Sequence, residues 1–105
     1  MMRGDVVTAT FPDASGRRPA VIVTRDAVIP LLTRVTLVPI TASRRGLATE
    51  VDLDMFEGLA TSSVASCDNV TTVPKSDIHG RLGALGPERR RQLDDALRIA
   101  LELDE

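Results

Sequence analysis

Two stretches, Pro19–Thr24 (PAVIVT) and Val35–Thr41 (VTLVPIT), decide the fold of this chain. The first is a continuous apolar run, the pattern of a strand buried on both faces. The second is equally rich in strand formers. It carries Pro39, which cannot donate to a ladder and so marks a sheet edge, a bulge or a strand end. Outward from these, Asp5–Phe11 (DVVTATF) reads as a strand, and Pro12–Gly16 (PDASG) as a turn. Ala48–Leu53 alternates as a half-exposed strand does. Ser63–Val73 is a further strand, long enough to bend. Pro74–Ile78 reads as a short helical turn and Leu82–Leu85 as a last short strand. From Pro87 the period changes. Leu93, Leu97, Ala100 and Leu101 fall on one face of an amphipathic helix, with Pro87 suited to its first position. Arg90–Asp94, Arg91–Asp95 and Asp94–Arg98 are spaced to pair across one turn. The expected fold is mainly β with a C-terminal α-helix: five or six short strands in a small, strongly bent antiparallel barrel. A parallel sheet would need helical crossovers that the spacing does not allow.

Length and composition fit one soluble domain over residues 1–105, with 43% hydrophobic and 27% charged residues. That apolar content excludes a wholly disordered chain. No apolar run is long enough for a membrane span, and the N-terminus lacks the core of a signal peptide, so the expected address is cytoplasmic. One cysteine, Cys67, excludes an internal disulfide and a cysteine-based zinc site. Phe11 and Phe56 are the only aromatics, so a surface stacking many bases is excluded. The net charge is −2, unevenly divided: residues 1–52 carry +2 and residues 53–105 carry −4. A local basic site can sit in such a chain.

Arg17 and Arg18 leave a turn and feed into the buried run at Pro19. Arg18 is anchored by the core on one side and open on the other. Its guanidinium fork suits phosphate oxygens, although a solvated pair of charges explains the same residues. Thr41 closes the second buried strand. If the two strands are neighbours, Arg18 and Thr41 can face one cleft. Asp68 and Asn69 are poor strand formers inside a strand pattern, which fits either a bulge between shorter strands or polar edges aimed at a nucleobase. Arg44 and Arg45 read as a solvated turn or as contacts to a nucleic-acid backbone. Cys67 and His79 are better explained as a core residue and a turn residue than as a nucleophile pair. With one His and one Cys, no metal site and no cofactor are expected.

These residues, taken in order, resemble the MazF/PemK family of bacterial toxins. The likeness runs through Arg3-Gly4-Asp5-Val6-Val7, Arg18-Pro19-Ala20-Val21-Ile22-Val23 and Val38-Pro39-Ile40-Thr41. It continues through Ser63-Val64, Asp68–Val73, Asp77-Ile78, Arg81-Leu82-Gly83 and the terminal helix. The resemblance implies an SH3-like barrel, a homodimer and a cognate MazE-like antitoxin. It also implies sequence-specific, metal-independent cleavage of single-stranded RNA through the substrate's 2′-hydroxyl, leaving 2′,3′-cyclic phosphate and 5′-hydroxyl ends. Arg18 and Thr41 then stand at the catalytic positions. Asp13, Ser15, Gly16, Arg17, Arg44, Asp68 and Asn69 stand as RNA contacts. Other readings of the same fold are a non-catalytic CcdB-like gyrase poison and an RNA-binding module. The chain departs from the family in a short loop from Pro12 to Arg17, and in Val6 and Val7, where many relatives carry an aromatic residue.

Overall fold

The computed structural model describes residues 1–13 and 16–103. Among them run seven strands: β1 (Asp5–Thr10), β2 (Arg17–Ile22), β3 (Arg34–Thr41), β4 (Glu50–Leu53), β5 (Ser63–Ser66), β6 (Thr71–Pro74) and β7 (Ile78–Ala84). One α-helix, α1 (Pro87–Ala100), follows them. All ladders are antiparallel, in the order β4-β5-β3-β2-β1-β7, with β6 also paired to β3. The sheet curls like a barrel without closing, since among the described residues no ladder joins β4 to β7.

β3 is the pivot of the sheet. β2 lies along one edge, from Ala20 opposite Pro39 to Ile22 opposite Leu37. The other edge is shared: β6 pairs with Arg34–Leu37 and β5 with Ile40–Thr41. Pro39 sits at the gap between them. The backbone of Thr36 bonds towards the β2 side, accepting from Val23 N–H at 3.0 Å and donating to Thr24 Oγ1 at 2.8 Å. By alternation the position of the missing Pro39 N–H faces the other side, where β6 has left and β5 begins. A proline thus lies within a central strand at no cost in ladder bonds.

The stretch Ser63–Val73 is not one bent strand. It divides into β5 and β6 around a single 3₁₀ turn, Cys67–Asn69. Two contacts hold that turn: Cys67 N–H donates to Thr49 O at 3.0 Å, and Thr49 Oγ1 donates to Asp68 at 2.6 Å. The split is why there are seven strands rather than six. β7 begins earlier than the expected Leu82, because Gly80 and Gly83 dilute its strand pattern. Gly83 is there for a close approach: a Cβ would lie 2.3 Å from Glu57 O, in the 3₁₀ turn Met55–Glu57.

Two cores lie on the two faces of the curled sheet. One holds Val6, Val21, Val38, Ile40, Leu53 and Ala65 beneath Leu93 and Ala96 of α1. The other holds Val7, Ala9, Phe11, Ala20, Ile22, Val35 and Leu37. The expected helix face is present in part: Leu97 and Ala100 are half-buried, but Leu101 is 54% exposed. The expected pairings within α1 differ. Asp94 is taken by Arg3 from before β1 at 2.9 Å, and Arg98 pairs with Asp95. A partner reaching in from another element thus replaces the neighbour four residues away. Among the described residues no helix is long and apolar enough to cross a membrane.

Candidate active site

Arg18 and Ala20 lie two apart on β2, and Pro39 and Thr41 two apart on β3, so each pair faces one side of its strand. Ala20 is opposite Pro39, and the same register carried two residues further sets Arg18 opposite Thr41. Both line a cleft of about 150 Å³, together with Ser43, Arg45, Glu50, Ser66 and Asn69. The two strands are neighbours, and the two side chains share one opening.

Each side chain is held. The guanidinium of Arg18 lies 5.7 Å from the ring centroid of Phe11, which is 5% exposed and fixed in the second core. A cation over an aromatic face contributes roughly 0.5–1 kcal/mol at an open site. Thr41 Oγ1 accepts the backbone N–H of Ser43 at 3.1 Å, which leaves its own hydrogen to donate into the cleft. Asn69 Nδ2 donates to Ser66 Oγ at 3.0 Å. Among the described residues, Arg18 and Arg45 make no ion pair. The cleft is therefore lined by two arginines without ion partners and by a hydroxyl.

The carboxylate of Glu50 also lines the cleft, yet it is turned onto the loop before β4 and accepts from the backbone of Arg45, Gly46 and Leu47. Loss of solvation works against its charged form. The hydrogen bonds from Arg45, Leu47 and Gly46 and the charge of Arg44 outweigh it, and its pKa is lowered.

Arg44, Asp68, Arg17, Gly16 and Asp13 are not among the residues that line this cleft. Arg44 pairs with Asp52, a hydrogen bond that, with the carboxylate's charge, raises its pKa. Asp68 is occupied by Thr49 and braces the turn beneath Asn69. Arg17, opposite Thr10, projects from the face of β2 away from Arg18. Gly16, at φ +69°, closes the β1–β2 loop by accepting Phe11 N–H at 3.0 Å. Asp13 is exposed on the same loop, and Ser15 lies outside the described residues. His79 is bonded to Thr10 Oγ1 at 2.6 Å, while Cys67 is 1% exposed in the core beneath α1. The two do not pair. Sequence reasoning missed Glu50, which reads as an ordinary position of an alternating strand; of the two arginines it named in the turn, Arg45 lines the cleft and Arg44 pairs with Asp52. Adjacent arginines in a turn carry no signal for which one faces inwards.

A curled antiparallel sheet, a helix across one face and a cleft lined by Arg18, Arg45 and Glu50 define the class of this small β protein. The model of the PemK-like, MazF-like toxins of type II toxin–antitoxin systems matches residues 2–101, and the chain belongs to this family. It is 46% identical over 87 residues to the endoribonuclease MazF3 of Mycobacterium tuberculosis, covering 83% of this chain and 84% of that one. The solved structure of Mycobacterium tuberculosis toxin MazF-mt6 superimposes with a TM-score of 0.90 at 40% identity, covering 96% of this chain and 99% of the other. An endoribonuclease in complex with its cognate antitoxin, from a mycobacterial species, superimposes with a TM-score of 0.89 at 28% identity, covering 100% and 98%. The chain is a MazF-type endoribonuclease toxin.

Proposed function

We propose that this toxin cleaves single-stranded RNA at short sequences, without a metal, at the Arg18–Thr41 cleft. The convergence of those two side chains on one opening carries the reading. The 2′-hydroxyl gives its proton to solvent water and its oxygen attacks the adjacent phosphorus. The bond to the 5′-oxygen breaks and that oxygen takes up a proton from solvent water. The ends are a 2′,3′-cyclic phosphate and a 5′-hydroxyl. Negative charge gathers on the non-bridging phosphate oxygens as the bond to phosphorus forms, and preorganised donors there lower the barrier most. Arg18 supplies charge in a fork that fits two phosphate oxygens, and Thr41 supplies a hydroxyl donor. Arginine keeps its proton in proteins, so Arg18 acts as the charge and not as the base. Among the described residues no group of three His, Cys, Asp or Glu is placed to hold a metal ion.

The active form in this proposal is a homodimer that a cognate MazE-like antitoxin neutralises. A groove of about 660 Å³ lies between β3, β6 and α1, lined by apolar Val23, Leu32, Val70, Leu97 and Leu101 and edged by Arg25 and Arg34. Apolar floor and basic rim fit an acidic, apolar segment that folds on binding.

The test uses one sequence in two chemistries. The RNA strand is expected to be cut, and the matching DNA strand, lacking the 2′-hydroxyl, to stay whole. Cutting of both sinks the mechanism. Cutting of neither, with inhibition of gyrase, moves the protein to the poison reading.

A further inference from the structure

The loop between β3 and β4 is tied down from inside. Glu50, the first residue of β4, sends its carboxylate back over residues 45–47. Oε1 accepts from Arg45 N–H at 3.1 Å, Gly46 N–H at 2.8 Å and Leu47 N–H at 3.1 Å, and Oε2 accepts from Arg45 N–H at 3.0 Å. The loop answers through Leu47 O, which accepts Glu50 N–H at 3.1 Å. Gly46 takes φ +77°, the left-handed turn that lets successive N–H groups converge on one anion. An acidic side chain in a cleft for RNA would repel phosphate if it were free. Here its charge is met by backbone donors.

The tie has a consequence for the arginines beside it. Arg44 is drawn outwards to Asp52, and Arg45 is left lining the cleft with Arg18 and Thr41, without an ion pair among the described residues. One cation at the reacting phosphate fixes neither the register nor the direction of a flexible strand. A second phosphate contact does both.

We propose that Arg45 binds the RNA phosphate next to the one that reacts, and that Glu50 is the positioning residue that aims it. The proposal rests on the reading of Arg18 and Thr41 as the reaction centre.

Binding is measured over a range of salt, using RNA with a single 2′-deoxy nucleotide at the mapped cut, which binds without being cleaved. Where no cut is found, the uncut RNA serves. Arg45→Ala is expected to weaken binding about tenfold and to lower the salt slope by about 0.7, the value for one single-strand phosphate contact. Arg98→Ala, which removes an exposed arginine of α1 paired with Asp95, is expected to leave both within about twofold, as an exposed pair contributes little. Glu50→Gln keeps shape and an acceptor oxygen but loses the charge; it is expected to raise KM severalfold while kcat holds. Combined with Arg45→Ala it is expected to add nothing further, because it acts through that side chain. Unchanged affinity and slope in Arg45→Ala overturn the proposal and leave the reaction centre standing. Losses that multiply in the double variant show Glu50 acting elsewhere and overturn its role. An unsubstituted protein that binds RNA but never cuts it overturns the reaction centre, while the salt slope still tests Arg45. Failure to bind any RNA overturns both.

Discussion

Thr41→Val removes one hydroxyl and keeps a β-branched side chain of similar shape. In the structure Thr41 is half-buried at the end of β3, and among the described residues its hydroxyl bonds only to the exposed Ser43 N–H, at 3.1 Å. That N–H can turn to water, so the cost to folding is about 1 kcal/mol or less, the net worth of an ordinary hydrogen bond. In a domain of this size such a loss lowers the melting temperature by about 8 °C at most. It leaves the protein folded at 25 °C, since natural domains have roughly 5–15 kcal/mol in hand. The cost to the reaction is larger. Taking one preorganised donor from a developing oxyanion lowers kcat by about 10²–10³, or roughly 2.7–4 kcal/mol. The two effects therefore separate cleanly at room temperature. Initial rates on a short labelled RNA at saturating substrate, beside a thermal melt, give both numbers. Thr41→Ser, which restores the donor, is expected to recover most of the rate. Valine cutting within about threefold of the unsubstituted protein refutes the donor role, and so does serine as inactive as valine.

Gly83→Ala places a Cβ 2.3 Å from Glu57 O, whereas nothing lies within 4 Å of a Cβ at Gly80 on the same strand. Overpacking of this kind costs about 1–3 kcal/mol or more, so Gly83→Ala should melt many degrees lower and Gly80→Ala close to the parent; equal melts contradict the close approach. Leu93→Ala empties the centre of the core beneath α1, where Leu93 is fully buried, and should cost about 2–5 kcal/mol in urea unfolding; a loss under about 1 kcal/mol would mean that α1 is not docked there. Burial, with some help from Asp68, pushes the Cys67 thiol from 9.0 up to about 12. The unfolded chain then releases this proton first as pH rises, so the contribution to stability is whole below pH 9 and declines between 9 and 12. At pH 8 a thiol reagent should label native protein far more slowly than denatured protein, and equal rates would place Cys67 at the surface.

The strands that bury both faces were legible in the sequence, because apolar runs such as Pro19–Val23 allow few other readings. The helix was legible from its period. A shared cleft for Arg18 and Thr41 was legible only on the condition that the two buried strands are neighbours, and it was the resemblance to the toxin family that singled out the pair. What stayed hidden depended on contacts distant in sequence. β7 is interrupted by glycines whose purpose, packing against the turn at Glu57, exists only in three dimensions. Asp94 has a partner spaced for pairing within its own helix, yet binds Arg3, because the segment before β1 runs beside α1. Arg44 is held by Asp52 and the backbone of Arg45 by Glu50, two carboxylates that flank Val51 on β4. Alternation along that short strand marks half-exposure but not which carboxylate folds back over the loop.

The most direct test is to incubate the pure protein with long single-stranded RNA in the presence of EDTA, beside Arg18→Ala, and to map the fragment ends. Discrete cuts at one short sequence, with 5′-hydroxyl and 2′,3′-cyclic phosphate ends and lost in Arg18→Ala, are the predicted result. Cuts that need a divalent metal, or that persist undiminished in Arg18→Ala, would contradict a reaction centred on the guanidinium in the β2–β3 cleft.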